Sequence, residues 1–576
     1  MGAQSMLKEI PAPAMQVTAP SRIDETLTRL KAGAQRFAQL TLDERIPLAR
    51  SMQEGYLAIA AASAEAARVA KGLPQQAAGE EIASGPMIVV RAFRLIIESL
   101  EALKLSGNTP IGPVSHTKDG RLSVRVFPSN MIDGILFKDV TVDVHMAAGM
   151  SEAEMHEARA GFYKCPDHKG RVALILGAGN INSIPGWDIV TKMFVEGKVC
   201  VLKVNPVNAY LGPYLERAFA RAIEHDYLAI VYGGAEEGSY LAGHKDVDEI
   251  HLTGSDRTYE AIIWGPNEDE RAKRKAGRRP VIDKPVTAEL GNVSPVIVVP
   301  GPYTEKELRY QAEELAGAMA LNAAFCCCTP RVLVTAANWP QRGTFLDYLA
   351  EALARTPARL AYYPDAAEKY RLATAGRRNV RRIGAAGANV LPWTVVIGLD
   401  PWNAADPAFR TEYFCPVLYE TALPSGDAAE FLFKAVDFCN TRLWGTLNAT
   451  LIVHHKTQKD PALSDAVENA ITWLNYGTVA VNAYPAMSFA YGTPPWGAHP
   501  GSTRQDIQSG TGFVHNARML EGIEKAVMRH PLTTFPKPIY FPSHRTATPL
   551  AQKLISLEER ASWLNVPGVV MTAMRC

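Results

Sequence analysis

The sequence predicts an α/β protein built on parallel sheets whose faces are covered by helices. From Arg171 onward, short apolar runs (VALIL, VCVLKV, LAIVY, EIHLT) alternate with helical stretches such as Gly212 to Glu224. Strands buried on both faces read as continuous apolar runs, and parallel neighbours need a crossover, usually a helix. A second rhythm of the same kind begins at Thr304, where TEKELRYQAEELAGAMALNAAF leads into the strand RVLVTA, and it continues to about Val481. At 576 residues the chain is also too long for one core, since a domain takes about 150 residues.

Taken in order, residues 1–21 carry Pro11, Pro13 and Pro20 and read as a mobile arm. From Ile23 to about Leu103, apolar residues recur every three or four positions, which predicts amphipathic helices. RLSVRVFPSN and DGILFKDVTVDVHM alternate as strands do and predict a hairpin, an excursion from the core. VTAELG and PVIVV follow the charged run Glu268 to Arg279, read as a solvated surface loop rather than a phosphate contact. The last 60 residues predict a helix near Ala517 to Val527, a Pro-rich extended piece and a final helix from Pro549 to Leu564.

Composition excludes several classes of function. There are 60 Lys and Arg against 59 Asp and Glu, so no global field is available for nucleic acid or an anionic membrane. The longest stretch free of these residues, Asn469 to Thr503, holds Gly477, Pro485, Gly492, Pro494 and Pro495 and is not a membrane span. The first residues lack the apolar core of a signal peptide, so a soluble, cytoplasmic protein is expected. Eight cysteines are too few for a disulfide framework, and no C-x-x-C or H-E-x-x-H occurs, so no metal site is expected.

Three segments could carry chemistry. GAGNIN, Gly177 to Asn182, directly follows the strand VALIL. It lacks the third glycine of a dinucleotide turn, and a plain strand-to-helix turn explains it as well. NAAFCCCTPR holds Cys326, Cys327 and Cys328, which are either small buried hydrophobes or a thiolate nucleophile beside a helix end. AELGNVSP places Glu289 in an apolar strand, where a carboxylate needs a partner or a task, unless it stands at the strand end facing water.

The order and spacing of these segments resemble the aldehyde dehydrogenase superfamily over nearly the whole chain. QRFAQLTLDERIPLARSMQEGYLA is similar to the opening helices, and ILGAGNINSIP takes the place of the Pro-Trp-Asn-Phe-Pro loop with Asn180 on its asparagine. VCVLKV carries the strand lysine at Lys203, and VDEIHLTGS matches the pyrophosphate turn with Gly254 and Ser255. AELGNVSP puts Glu289 on the general base, and NAAFCCCTPR puts Cys327 on the catalytic thiol. TEYFCPVL resembles the cofactor clamp, with Glu412 and Phe414, and Pro495 to Ala498 stand for the Pro-Phe-Gly-Gly region. The departures mark a divergent branch. The loop has lost its Trp and both prolines, and Asn292, Cys415 and Tyr259 replace family glycines. About a dozen extra residues, including EDERAKRKAGRR, lie between Ser255 and Glu289.

The resemblance implies a doubly wound cofactor-binding domain (22–120 and 166–287) and a small β excursion for oligomerisation (121–165). It further implies an α/β catalytic domain with the thiol (288–515) and an extension, 516–576, returning to the cofactor or oligomerisation region. The implied function is NAD- or NADP-dependent oxidation of an aldehyde by a homodimer or homotetramer. Cys327 would attack, Asn180 and the Cys327 N–H would hold the oxyanion, and Glu289 would activate water. Glu412 and Phe414 would clamp the cofactor, and Pro206 stands where a ribose-binding Glu is common, which would admit NADP. A CoA-acylating or acyl-CoA-reducing relative is the alternative, with Glu289 counting against it, and a non-catalytic homologue is a further one. Tyr484, Phe489, Tyr491 and Trp496 would border the substrate, faintly favouring a bulky aldehyde, although a core loop explains them better.

Overall fold

The computed structural model describes residues 17–165 and 168–576. Most of the expected arm, residues 1–16, therefore lies outside the described residues. The first helix, Pro20–Ala38, already includes the last two arm positions, with proline in its first turn, where a missing N–H costs nothing. Its buried residues Ile23, Leu27, Leu30, Ala34 and Phe37 fall at spacings of three and four and pack on the cofactor-side core.

That core surrounds a six-stranded sheet in the order Leu228–Val231, Val199–Lys203, Val172–Leu176, Glu249–Gly254, Val286–Leu290 and a short antiparallel piece, Gly510–Thr511. The chain starts in the middle, winds outward one way and then returns to wind outward the other. This is the doubly wound topology, and the reversal leaves a crevice at the carboxyl ends of Val172–Leu176 and Glu249–Gly254. All five residues of VALIL and of VCVLK are buried, as helices on both faces require.

A second sheet of eleven strands has seven parallel ones in the order Ile523–Arg529, Thr478–Val481, Asn448–Ile452, Pro295–Val298, Val332–Ala336, Val417–Leu423 and Trp393–Leu399. The excursion does not stand apart: Thr141–Met146 pairs antiparallel with Ile523–Arg529 and so extends this sheet within the same chain. The opposite edge strand, Val380–Ile383, carries Arg381 and Arg382, charges that discourage edge-to-edge pairing.

Several expectations need correction. The helix expected near Ala517 to Val527 is instead the strand Ile523–Arg529, held between a parallel and an antiparallel partner. Long-range pairing overrides a weak local pattern here, and fully buried Lys525 is satisfied by donating to the carbonyls of Thr472 and Leu474 at 2.7 and 2.6 Å, where a helix end offers negative charge. Met131–Leu136, read as strand, is a helix capped by Asn130. The charged run is solvated but helical, Glu268–Ala276, with Arg271–Glu268 and Arg274–Glu270 pairs along its exposed surface. The final helix is two, Ala547–Glu559 and Val566–Ala573. Val286–Leu290 pairs with Glu249–Gly254 and belongs to the first sheet.

Candidate active site

The three chemical segments meet where the carboxyl edge of the first sheet faces the amino end of Val332–Ala336. Glu289 is the penultimate residue of the strand Val286–Leu290, with Thr253 as its neighbour across the parallel rung. On its other side stands Gly510, whose φ of 116° suits glycine and whose Cβ, if present, would lie 1.8 Å from the Ala288 carbonyl oxygen. The backbone thus closes over a carboxylate that is only 3% exposed, which removes the reading of a strand-end Glu facing water. Burial pushes Glu289 up to about 8, against the opposing pull of the Cys327 thiol and the Trp496 indole, while the Asp188 charge adds to the rise. Its Oε1 has no hydrogen-bond partner. Asp188 is fully buried and held ionised, far below the usual carboxylate range, between His251 and His515 at 3.5 and 3.3 Å.

The loop of the cysteine triplet follows helix Glu305–Ala320 and passes through three consecutive left-handed residues, Asn322, Ala323 and Ala324, with φ of 52°, 55° and 70°. Such non-glycine conformations cost on the order of 1 kcal/mol or more each and persist only where the surroundings hold them. Here the Asn322 amide donates to the Phe325 and Asn180 carbonyls at 2.7 and 3.1 Å and accepts from Lys71 Nζ and Tyr362 Oη, both at 2.9 Å. The Asn322 N–H donates to Glu80 at 2.7 Å. Lys71 is itself paired with buried Glu81 at 2.9 Å, and Glu81 accepts from Asn182 at 3.0 Å. Arg331 completes the brace by donating to the carbonyls of Ala324 and Cys415 at 3.0 and 2.6 Å. Asn180 donates from Nδ2 to the Phe325 carbonyl at 3.0 Å, which places it against this loop, two residues before Cys327.

The triplet bends instead of running extended. Its three sulfurs lie within 4.8 Å of one another. Cys326 and Cys328 are buried with their sulfurs 3.3 Å apart, and Cys328 bonds Tyr484 Oη at 3.2 Å. Cys327 alone of the three is partly exposed. S–H donation from its two neighbours draws Cys326 down, and the same contacts with burial and Glu289 push Cys327 up. A negative charge on the triplet is thus favoured at Cys326, where both other thiols face it, and Cys327 is the sulfur left partly exposed. The triplet and the group Glu307, His454 and His455 have the donor spacing for a cation, but Cys326, Cys328 and the His454 Nδ1 are already occupied by neighbours.

The expected cofactor residues gather at the crevice. Gly254 ends its strand, and Ser255 caps helix Asp256–Trp264 by accepting the Thr258 N–H at 3.2 Å, which leaves a helix amino end suited to an anionic group. Lys203 ends Val199–Lys203, on the far side of Val172–Leu176 from the Gly254 strand, and is drawn down to about 8 by burial, with Glu237 opposing. Pro206 opens the 3₁₀ turn Pro206–Leu211 just beyond it. Tyr259 is buried in the core, so the glycine it replaces is not exchanged for an obstruction. Glu412 fills the space a Gly291 side chain would need: a Cβ there would lie 1.8 Å from its Oε2. Burial pushes Glu412 up to about 8 against the pull of Arg331, and its Oε1 lacks a partner. Phe414, at a φ of 49°, packs on Tyr363 and Phe325 with ring centres 5.0 and 5.9 Å apart. An anion-ready helix end, a strand-end lysine and an unpartnered buried carboxylate fit a nicotinamide dinucleotide.

A cavity of about 480 Å³ opens onto Cys327 and Glu289. Tyr484, Phe489 and Trp496 line it, whereas Tyr491 is core, stacked on Phe127 at 4.0 Å. Sequence reasoning missed the rest of its wall: Met87 and Ile88 from the opening helices, and residues 539–545 from the extension. It also missed Lys71, Glu81 and Arg331. The only signal in the sequence for the last was an arginine at the head of an otherwise apolar strand, RVLVTA.

The sequence model of the aldehyde dehydrogenase family matches residues 181–359. The mitochondrial aldehyde dehydrogenase family 2 member B4 of Arabidopsis thaliana is 35% identical over 134 residues, which are 23% of this chain and 22% of that protein's length. The fold is similar to NADP-dependent glyceraldehyde-3-phosphate dehydrogenase from Bacillus halodurans, solved with NADP, at a TM-score of 0.59 and 16% identity over 89% of this chain and 92% of that one. The gamma-glutamyl-gamma-aminobutyraldehyde dehydrogenase of Burkholderia cenocepacia is similar at a TM-score of 0.58 and 19% identity, over 89% of both chains. At these identities the solved structures establish the fold, and the family match begins at Ile181, directly after Asn180, and covers the segments of Glu289 and Cys327. Residues 181–359 thus match the aldehyde dehydrogenase family model, and the fold of the chain is similar to that of solved aldehyde dehydrogenases.

Proposed function

We propose that the protein oxidises an aldehyde to a carboxylic acid with NAD or NADP, using Cys327 as nucleophile and Glu289 as general base. One observation carries this: the one partly exposed thiol of the triplet and a buried carboxylate whose Oε1 lacks a partner stand on the wall of a single cavity. Cys327 as thiolate attacks the carbonyl carbon, and the oxyanion is received by the Cys327 N–H and the second Nδ2 hydrogen of Asn180. Preorganised donors of this kind are worth about 3–4 kcal/mol each. A bound nicotinamide dinucleotide supplies the hydride acceptor, and Glu412, Phe414, Lys203, Gly254 and Ser255 are the residues that would hold it. Glu289 then takes a proton from water, which attacks the thioester and releases the acid from Cys327. A base near neutrality serves this step, and burial has brought Glu289 there.

The test is absorbance of reduced nicotinamide with an aldehyde panel, NAD and NADP, with and without CoA. Turnover without CoA that yields free acid supports the hydrolytic reading. A strict need for CoA would replace it with the acylating one.

A further inference from the structure

The cavity is larger and more apolar than oxidation of a small aldehyde needs. Its volume of about 480 Å³ lies in the range of sites that enclose drug-sized ligands. Away from Cys327 and Glu289, its walls include Met87, Ile184, Leu321 and Phe489, with Ile539 and Phe541 contributed by the extension.

That extension wall is fixed in place. The Tyr540 hydroxyl donates to Glu314, whose Oε1 also receives the Tyr484 N–H at 3.0 Å, so one carboxylate ties the extension to the aromatic loop opposite. Beyond it, helix Ala547–Glu559 is anchored by buried Glu558, which accepts from Arg91 at 2.6 Å and from Arg94 at 2.7 Å. Arg91 also pairs with Asp133 at 2.8 Å, which joins the helix to the β excursion. Breaking such a network would leave buried charges unpaired.

The wall is not wholly apolar: Arg359 donates from one nitrogen to Glu80 at 2.9 Å but keeps Nε and Nη1 unpartnered, both ring nitrogens of buried His544 lack a partner, and Arg545 is exposed, so a phosphorylated aldehyde is the control that decides whether the wall prefers charge or an apolar chain.

We propose that this cavity selects an aldehyde with a long apolar chain, the C-terminal extension supplying the wall that receives it. The proposal rests on aldehyde oxidation at Cys327 for its catalytic consequence, but the binding it predicts does not need turnover.

Rates with propanal, hexanal, decanal and glyceraldehyde 3-phosphate, at saturating NAD and NADP, give the first test. kcat/KM is expected to rise roughly threefold or more for each added methylene until the cavity is filled. A flat or falling series, or a preference for the phosphorylated aldehyde, overturns the proposal while leaving aldehyde oxidation intact. Calorimetry with decanamide and propanamide gives the second test. Decanamide should bind at least tenfold more tightly by the same transfer argument, and equal affinities overturn the proposal. If no aldehyde is oxidised yet decanamide binds selectively, the catalytic reading fails and the apolar-chain site stands. Ala83→Phe and Ala490→Phe, which fill the cavity, should each weaken decanamide and decanal and spare propanal. Two well-folded variants that leave decanamide binding unchanged would show that the chain lies elsewhere, against the proposal.

Discussion

Two buried polar clusters flank the cysteine loop and are finished in opposite ways. Behind the loop, Lys71, Glu81, Asn182, Asn322 and Tyr362 bond one another and the Asn180 carbonyl, and these side chains leave no polar atom without a partner. Beside the thiol, Glu289 and Glu412 each keep an unpartnered Oε1. A satisfied cluster holds geometry, here three left-handed residues in a row. An unsatisfied carboxylate is costly to ionise, stays protonated to higher pH and so is poised for proton transfer or for a ligand hydroxyl.

The largest effect expected is from Cys327→Ala, which should abolish reduction of nicotinamide, while Cys326→Ala should retain some. Normal turnover by Cys327→Ala would move the nucleophile elsewhere in the triplet. Next, Glu289→Gln should still release one equivalent of reduced nicotinamide per site, and steady turnover should fall by roughly 10²–10⁴. Stopped-flow burst against steady state separates the two, and an absent burst would place Glu289 in an earlier step.

Lys71→Met addresses the other cluster. It leaves Glu81 buried without its cation and should cost about 3–5 kcal/mol of stability, measured by denaturant unfolding. Adding Glu81→Leu should recover much of this. A small loss in the single variant would mean that the cluster does not hold the loop, and the contrast between the clusters would fail.

The clusters should also separate by pH. Glu289 titrates near 8 in the folded protein and near 4.5 when unfolded. Between those values the folded state binds the proton and the unfolded state does not, so this group's contribution to stability falls as pH rises through the window. The hydrolytic rate should rise through the same upper limit, because the base acts when ionised. Glu289→Gln should flatten the rate profile and reduce the stability slope, with the Glu412 share remaining. The smallest effect is expected of Pro206→Glu, which should raise the Michaelis constant for NADP more than that for NAD. Wild-type protein that uses NAD and gives no rate with saturating NADP would sink that expectation, and the Glu237 beside Lys203 would be the first group to examine.

Much of the architecture was legible in the linear sequence because it is written locally. Apolar runs such as VALIL declare strands covered on both faces, and the glycines, Asn180, Glu289 and Cys327 lie in short segments with their own spacing. What local pattern could not decide depends on partners far away in the chain. Ile523–Arg529 is a strand because two distant strands flank it, and DGIL is helical although it alternates. Lys71 meets Asn322 across 251 positions, and Arg91 meets Glu558 across 467. The residues from the extension that wall the cavity carry no mark of that role in their own sequence. The chemistry of the site was therefore set by residue identity and near neighbours. Its burial, its raised carboxylates and the shape of its cavity were set by tertiary packing, since desolvation and enclosure exist only once distant segments exclude water together.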